Sequence, residues 1–418
     1  MLGTGRLHEA TDKSLPHCRV VDVSESGHDA SLCSRASIPT DGARHVQTRG
    51  VKLSCCIPTL NRSRSLARAI RSLCNQTLEP GSCEILIVDN ASSDNTRGET
   101  ESIMREMPHH RIRYLFEPEP GLLSGRHRGA LESNGEILVF LDDDIEAAPG
   151  YLHAILDAFE DPAVQLVGGP NLPSYESEPP AWVESFWSRT PYGGRMCGFL
   201  SLLDLGGNAI EIHPNYIWGL NFAIRRRALF DLGGFHPDCV PDALQHFQGD
   251  GETGLTMKAF AQGYKAVFTP GATVYHFISA SRMTPEYFER RAYYQGVCDS
   301  YSSMRREGRV TKVQWHLVIT SQIRRAGDLA GAAVRRAKRL YVREFRRIAT
   351  GTQREISPVY DTQVVAIQQR IHRAYKAGFE FHRDAVSRNP ELLAWVLRSD
   401  YWDYHLPLFK DQSKQIVS

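Results

Sequence analysis

Residues 135–146 read Gly-Glu-Ile-Leu-Val-Phe-Leu-Asp-Asp-Asp-Ile-Glu, and the order of apolar and acidic positions in this stretch decides the fold. Ile137 to Leu141 form an apolar run, with Asn134-Gly135 before it and Asp142, Asp143 and Asp144 after it. A short unbroken apolar run between turn signals fits a strand buried on both faces of a parallel sheet. In open α/β sheets ligands collect at the carboxyl ends of the strands, so the three aspartates mark where chemistry is expected. Three adjacent carboxylates repel one another unless a cation sits among them. A divalent metal holding a phosphorylated ligand is the simplest such cation. The plain alternative is a solvated acidic turn in which Asp144 caps a following helix.

Upstream, the same signature recurs. Leu53 to Ile57 reads as a strand stopped by Pro58-Thr59 and Asn61, followed by a helix with Leu66, Ala69, Ile70 and Leu73 on one stripe. Glu84 to Val88 is a second strand, ending in Asp89-Asn90. Arg111 to Phe116 is a third, and Gly121 to Leu131 is a loop running into a helix. Downstream, the spacing predicts a helix over Tyr151 to Asp161 and a strand over Val164 to Gly169. Alternation of strands and helices implies a parallel sheet covered on both faces. From Pro170 to His213 the regularity stops, and a segment rich in Pro, Gly, Ser and aromatics reads as long functional loops. Order returns at Tyr216 to Arg225, at a helix after Gly249-Asp-Gly-Glu252, and at two short strands around Pro270-Gly271. Beyond Thr284 the chain reads as helical, with a break near Ser357-Pro358 and a last helix to about Arg398.

The 418 residues divide into a poorly ordered extension over 1–50, one large domain over 51–283 and a helical region over 284–418. A formal charge of +1 excludes a global nucleic-acid-binding signal. Residues 301–350, however, carry an excess of ten basic over acidic side chains. Nine cysteines without a CxxC pair suit reduced thiols rather than a disulfide framework or a zinc site. No apolar run approaches the roughly 18 residues of a membrane helix, and no signal-peptide core is present, so a cytoplasmic setting is expected.

Seven short motifs, in this order and spacing, strongly resemble the family 2 inverting glycosyltransferases of the GT-A fold. They are Cys56-Ile-Pro-Thr-Leu-Asn61, Ile85 to Asp94, Gly121-Leu-Leu-Ser-Gly-Arg126, Leu141-Asp-Asp-Asp144, Trp218 to Ala223, Leu232-Gly-Gly-Phe235 and Gly249-Asp-Gly-Glu252. The resemblance runs from about Leu53 to His276. It implies the GT-A (nucleotide-diphospho-sugar transferase) fold: a mainly parallel central sheet with helices on both faces, here with a C-terminal helical extension. It further implies sugar transfer from a nucleoside diphosphate, a UDP-sugar first among candidates, to a hydroxyl of a saccharide, lipid-linked or other acceptor. Cell-surface glycan, glycoconjugate or polysaccharide biosynthesis is the implied setting.

Carried over motif by motif, the resemblance places Pro58, Thr59, Asn61 and Asp89 at the nucleotide base, and Arg126 near the nucleotide. Asp142 becomes a ribose or water-mediated contact, with Asp143 beside it. Asp144, in the DXD motif, becomes the direct metal ligand, completed by His276. An imidazole ligand shifts the preference from Mg²⁺ toward Mn²⁺; a core histidine is the competing reading of His276. The family's usual Glu-Asp base motif is altered to Gly249-Asp250-Gly251-Glu252. Alignment from Leu255 makes Glu252 the catalytic base and Asp250 the runner-up, though both also suit a helix N-terminus through the macrodipole. Trp218, Gly219 and Asn221 would border the donor sugar or acceptor. Trp182 and Trp187 would either stack a sugar face or pack inside the protein.

The basic stretch 305–347 is expected either to rest peripherally on an anionic membrane surface or to form solvated helix faces. Two other classes compete with the transferase. A nucleotidyltransferase would carry a Gly-rich phosphate loop after the first strand, where Pro58-Thr-Leu-Asn-Arg62 stands instead. A non-catalytic sugar-nucleotide-binding protein on the same scaffold is kept open by the altered base motif.

Overall fold

A computed structural model describes residues 51–79, 81–320 and 362–403. The expected N-terminal extension and the break near Ser357-Pro358 lie outside them, and the description of the basic stretch reaches residue 320. In chain order the first elements are β1 (Leu53–Thr59), α1 (Ser63–Cys74), β2 (Cys83–Asp89), α2 (Thr96–Glu106), β3 (Arg111–Phe116), α3 (Leu122–Glu132) and β4 (Ile137–Leu141). Next come β5 (Ile145–Ala147), α4 (Tyr151–Ala158), β6 (Val164–Gly168), β7 (Asn171–Tyr175), β8 (Ser188–Thr190), β9 (Gly193–Cys197) and β10 (Leu202–Asp204). They are followed by β11 (Ile210–Ile212), β12 (Asn221–Arg225), α5 (Arg226–Asp231), α6 (Glu252–Ala261), β13 (Lys265–Phe268) and β14 (Val274–Ile278).

Eight strands form the main sheet in the order β11-β13-β6-β12-β4-β1-β2-β3. The pairings among β1 to β4 are parallel, and direction reverses at β12, which is antiparallel to both β4 and β6. Side-chain alternation sorts each strand between two cores. Cys56, Leu86, Leu138 and Phe140 point to one, while Cys55, Ile57, Ile87, Val139 and Leu141 point to the other. Helix α1 covers the second core with Leu66, Ala69, Ile70 and Leu73, and α3 covers the first with Leu123 and Ala130. Helices therefore lie on both faces, as a sheet buried on both sides requires.

Two expectations fail here. The segment 170–213 is not loop but supplies β7 to β10 to a second sheet, ordered β5-β14-β7-β10-β9-β8, and β11 to the main one. Its strands are three to five residues long and interrupted by turns, so no alternation builds up in the sequence. Trp182 is buried there, edge-on to Phe186 and Phe288 in a third core, and so cannot stack a ligand. Nor does Asp144 cap a helix: strand β5 follows it directly, and α4 begins only at Tyr151 after Gly150.

Three further helices, α7 (Pro285–Thr320), α8 (Thr362–Arg388) and α9 (Pro390–Val396), complete the described chain. Helices α7 and α8 lie side by side, and a Cβ on Gly378 would collide with the Tyr293 carbonyl. Trp395, Val396 and Tyr401 join the same core as Phe140, Phe222 and Phe235. Thus the C-terminal helices are packed into the α/β domain rather than appended to it.

Candidate active site

The carboxyl ends of β1, β2 and β4 lie next to one another, because Thr59 pairs in register with Asp89 and Cys56 with Phe140. Three consequences follow for the nucleotide-side residues. The Thr59 hydroxyl donates to Asp143 at 2.7 Å. Asn61, in the left-handed region with φ 54°, accepts from the backbone N–H of Ser93 at 2.7 Å and of Asp94 at 3.2 Å, joining the loops after β1 and β2. Pro58 packs against Gly125 of α3, where a Cβ would come within 2.9 Å. Asp89 is buried; it accepts from the Ser92 N–H at 2.8 Å and from the Tyr114 hydroxyl at 2.6 Å. Burial and the Asp89 carboxylate push the Tyr114 phenol up.

The acidic triplet splits its three charges among different partners. Asp142 is half-exposed and lies 3.9 Å from the Arg126 guanidinium. Asp143 is buried, which pushes its carboxyl up to about 7 despite the Arg62 charge 3.1 Å away. Asp144 is buried too and receives Arg62 at 2.7 Å and Arg282 at 2.6 Å on one oxygen. Burial works against its ionisation, but the charges of Arg282 and Arg62 on the same oxygen oppose it and hold the carboxyl well below the usual range.

His276 reaches this triplet because β14 runs antiparallel to β5, the strand that leaves it, with His276 opposite Ile145. Its Nδ1 lies 3.0 Å from the Leu200 carbonyl and its Nε2 lies 2.8 Å from Arg282. A carbonyl can only accept and a guanidinium only donate, so Nδ1 carries the proton and Nε2 presents a lone pair. A carbonyl-oriented imidazole with a free Nε2 is the form that ligates metals. The second Asp144 oxygen, 3.4 Å from that Nε2, is buried without a hydrogen-bond partner. Among the described residues no three His, Cys, Asp or Glu side chains form a ready cage. Two protein donors do fit a cation whose remaining positions are filled by diphosphate oxygens and water.

Glu252 opens α6 and is joined to the triplet through Arg126. It accepts from the Gly219 N–H at 3.0 Å and from Arg126 at 3.3 Å. Arg126 is only 3% exposed and spans Glu252 and Asp142 while packing on the Phe235 ring. Any side chain at position 219 would press into its guanidinium. Asp250, by contrast, is turned inward: His236 lies at 2.6 Å on one oxygen and the Ser302 hydroxyl of α7 donates at 2.6 Å to the other. Asn221 is also turned inward, with Tyr151 donating to its oxygen at 2.8 Å and its amide donating to the Ala272 carbonyl at 2.9 Å. Trp218 is half-buried, its indole N–H donating to the Asn215 carbonyl at 3.2 Å. Sequence reasoning missed Arg62 and Arg282, each a lone arginine in a loop whose only signal is nearness to Asn61 or His276.

The model of the family described as glycosyl transferase family 2 matches residues 54–230. The chain carries a glycosyl transferase family 2 region over these residues. Its fold is the GT-A fold. Validoxylamine A glucosyltransferase from Streptomyces hygroscopicus subsp. limoneus is 35% identical over 113 residues, 27% of this chain and 24% of that protein. Glucosyl-dolichyl phosphate glucuronosyltransferase from Haloferax volcanii is 23% identical over 255 residues, 59% of this chain and 75% of that protein. The chain thus spans about a quarter of the first relative's length and three quarters of the second's. Among solved structures, mannosyltransferase PcManGT from Pyrobaculum calidifontis in complex with GDP-Man and Mn²⁺ aligns with TM-score 0.42 at 17% identity, covering 86% of this chain and 89% of that one.

Proposed function

We propose that this chain is a divalent-metal-dependent glycosyltransferase that moves a sugar from a nucleoside-diphosphate donor to an acceptor hydroxyl with inversion. The supporting observation is Arg126: its buried guanidinium joins Glu252 of α6 to Asp142 at the end of β4, residues far apart in the chain. A carboxylate held on the same guanidinium as a strand-end acidic cluster suits proton removal by one group and diphosphate departure at the other.

In this reading Pro58, Thr59, Asn61 and Asp89 receive the base, and Asp142 and Asp143 line the ribose and diphosphate. Asp144 and His276 would hold the cation, which when bound neutralises charge growing on the leaving diphosphate. The imidazole donor favours Mn²⁺ over Mg²⁺. Glu252 takes the acceptor hydroxyl proton as the oxygen attacks the anomeric carbon in line. Gly219 and Arg126 hold its two oxygens and so aim it. Trp218 and Gly219 border the sugar; Asp250 keeps its place as second candidate base, with both oxygens needing to be freed first. A lipid-linked acceptor draws support from the name of the Haloferax relative, whose acceptor is a glucosylated dolichyl phosphate. A cytoplasmic location with peripheral membrane contact through 305–347 accords with that acceptor, and no helix among the described residues is long and apolar enough to cross a membrane.

The test is a thermal-shift screen of UDP, GDP, CDP and ADP with and without Mn²⁺. A ligand that binds only the folded state raises its melting temperature. One diphosphate should respond strongly, and only with Mn²⁺; no response from any of them would remove the proposal. D144A should abolish the Mn²⁺-dependent part of the shift.

A further inference from the structure

Arg282 and Arg62 have no role in the account above, yet they hold the two groups proposed to bind the cation. The Arg282 guanidinium forks across both: one nitrogen lies 2.6 Å from the Asp144 oxygen, the other 2.8 Å from the lone pair of His276 Nε2. Arg62 adds a contact of 2.7 Å to the same Asp144 oxygen and one of 3.1 Å to Asp143. Two arginines thus face two buried aspartates, and the pocket is near neutral without any metal. A divalent cation entering it would meet two like charges at close range, so the guanidinium groups must leave before the ligands can close on it.

We propose that Arg282, assisted by Arg62, is a displaceable counter-cation on the metal site, and that a nucleoside diphosphate releases it. The chemistry of exchange is direct. A diphosphate offers guanidinium the same planar, two-pronged acceptor geometry that it finds on Asp144 and His276, with more charge. Moving one arginine from carboxylate to phosphate frees the Asp144 oxygen and the Nε2 lone pair together. Both arginines are placed to move. Arg62 lies in the loop between β1 and α1 with 45% of its side chain exposed, and Arg282 ends a short 3₁₀ turn, Ala280–Arg282, after β14. The unpartnered second oxygen of Asp144 gives the incoming cation its first point of attachment.

Cation and nucleotide therefore bind cooperatively, each raising the other's affinity by the same factor. The latch rests on the donor and cation assignment under Proposed function, and the following experiment separates the two. Mn²⁺ binding to the full-length protein is measured by electron paramagnetic resonance of the free ion, alone and with saturating UDP or GDP. For the native protein, Mn²⁺ alone should bind weakly and the responding diphosphate should tighten it at least about tenfold. R282Q should bind Mn²⁺ alone at least about tenfold more tightly than the native protein, with little further gain from the diphosphate. R282K, which keeps the charge but cannot fork, should fall between. R68Q removes a nearby arginine that touches neither ligand and should leave Mn²⁺ binding unchanged; a gain equal to that of R282Q would reduce the effect to general electrostatics and overturn the latch. Unchanged or weaker Mn²⁺ binding by an R282Q protein of native melting temperature would also overturn it. Absence of Mn²⁺ binding in both proteins, with every diphosphate, would instead remove the function proposed above.

Discussion

Glu252 and Asp250 stand two residues apart with the same functional group, and their surroundings separate them. Glu252 rests on two donors, Gly219 and Arg126, with a quarter of its side chain exposed. Asp250 is sealed beneath α6, and burial works against its ionisation, but the His236 and Ser302 contacts prevail and lower its carboxyl below the usual range. We expect E252Q to leave nucleotide affinity near native while transfer falls roughly 10²- to 10⁴-fold, the usual contribution of a general base. D250N should instead lose about 1.5–3 kcal/mol of stability in urea titration, because a hydrogen-bonded buried charge is replaced by an amide. The reverse pattern would exchange their roles. Glu252 was legible as a candidate because the family resemblance, aligned from Leu255, places a carboxylate at this helix start. That Asp250 is held inward depends on His236 and Ser302, which no local pattern connects to it.

Elements were legible in proportion to their length. Strands β1, β2 and β4 each hold a run of five to seven buried residues, mostly apolar, enough to register in the sequence. The strands of the second sheet do not, and their pairing is decided by partners such as β14, whose His276 is over a hundred residues from β7. This sheet matters for function because it carries His276 to the triplet. The long helices α7 and α8 meet at two close approaches, Gly296 against Tyr375 and Gly378 against Tyr293. G378A would drive a methyl group into the Tyr293 backbone, and overpacking of this kind typically costs about 1–3 kcal/mol. A urea titration should show that loss, with diphosphate binding retained in the folded protein; native stability would mean the helices can separate freely.

At the scale of the molecule, burial among the described residues lowers His127 to about 3, His236 to about 4 and His382 to about 4. The sign of the pH effect follows. An unfolded histidine titrates near 6.5, so between about pH 6.5 and pH 4 the unfolded chain binds protons that the folded chain refuses. The stability these groups contribute is present above pH 6.5 and is lost as pH falls toward 4, by up to about 1.4 kcal/mol per pH unit for each histidine. Urea midpoints at pH 7.5 and 5.5 should show a clear fall, and H127Q should flatten the slope; equal midpoints would mean that these rings are solvated. The same distinction between local and distant contacts divides what each level of description determined. Sequence alone determined the α/β class, the parallel strands that end in Asp89 and Asp142 to Asp144, and the family motifs, because periodicity and strand-end chemistry act over a few neighbouring residues. Only the tertiary structure decided that 170–213 forms a sheet, that Arg126 joins Asp142 to Glu252, that Asp250 is sealed away, and that Arg62 and Arg282 stand on Asp144. These depend on where the chain returns after long excursions, and residues of one kind are indistinguishable in sequence until packing gives each its own partners.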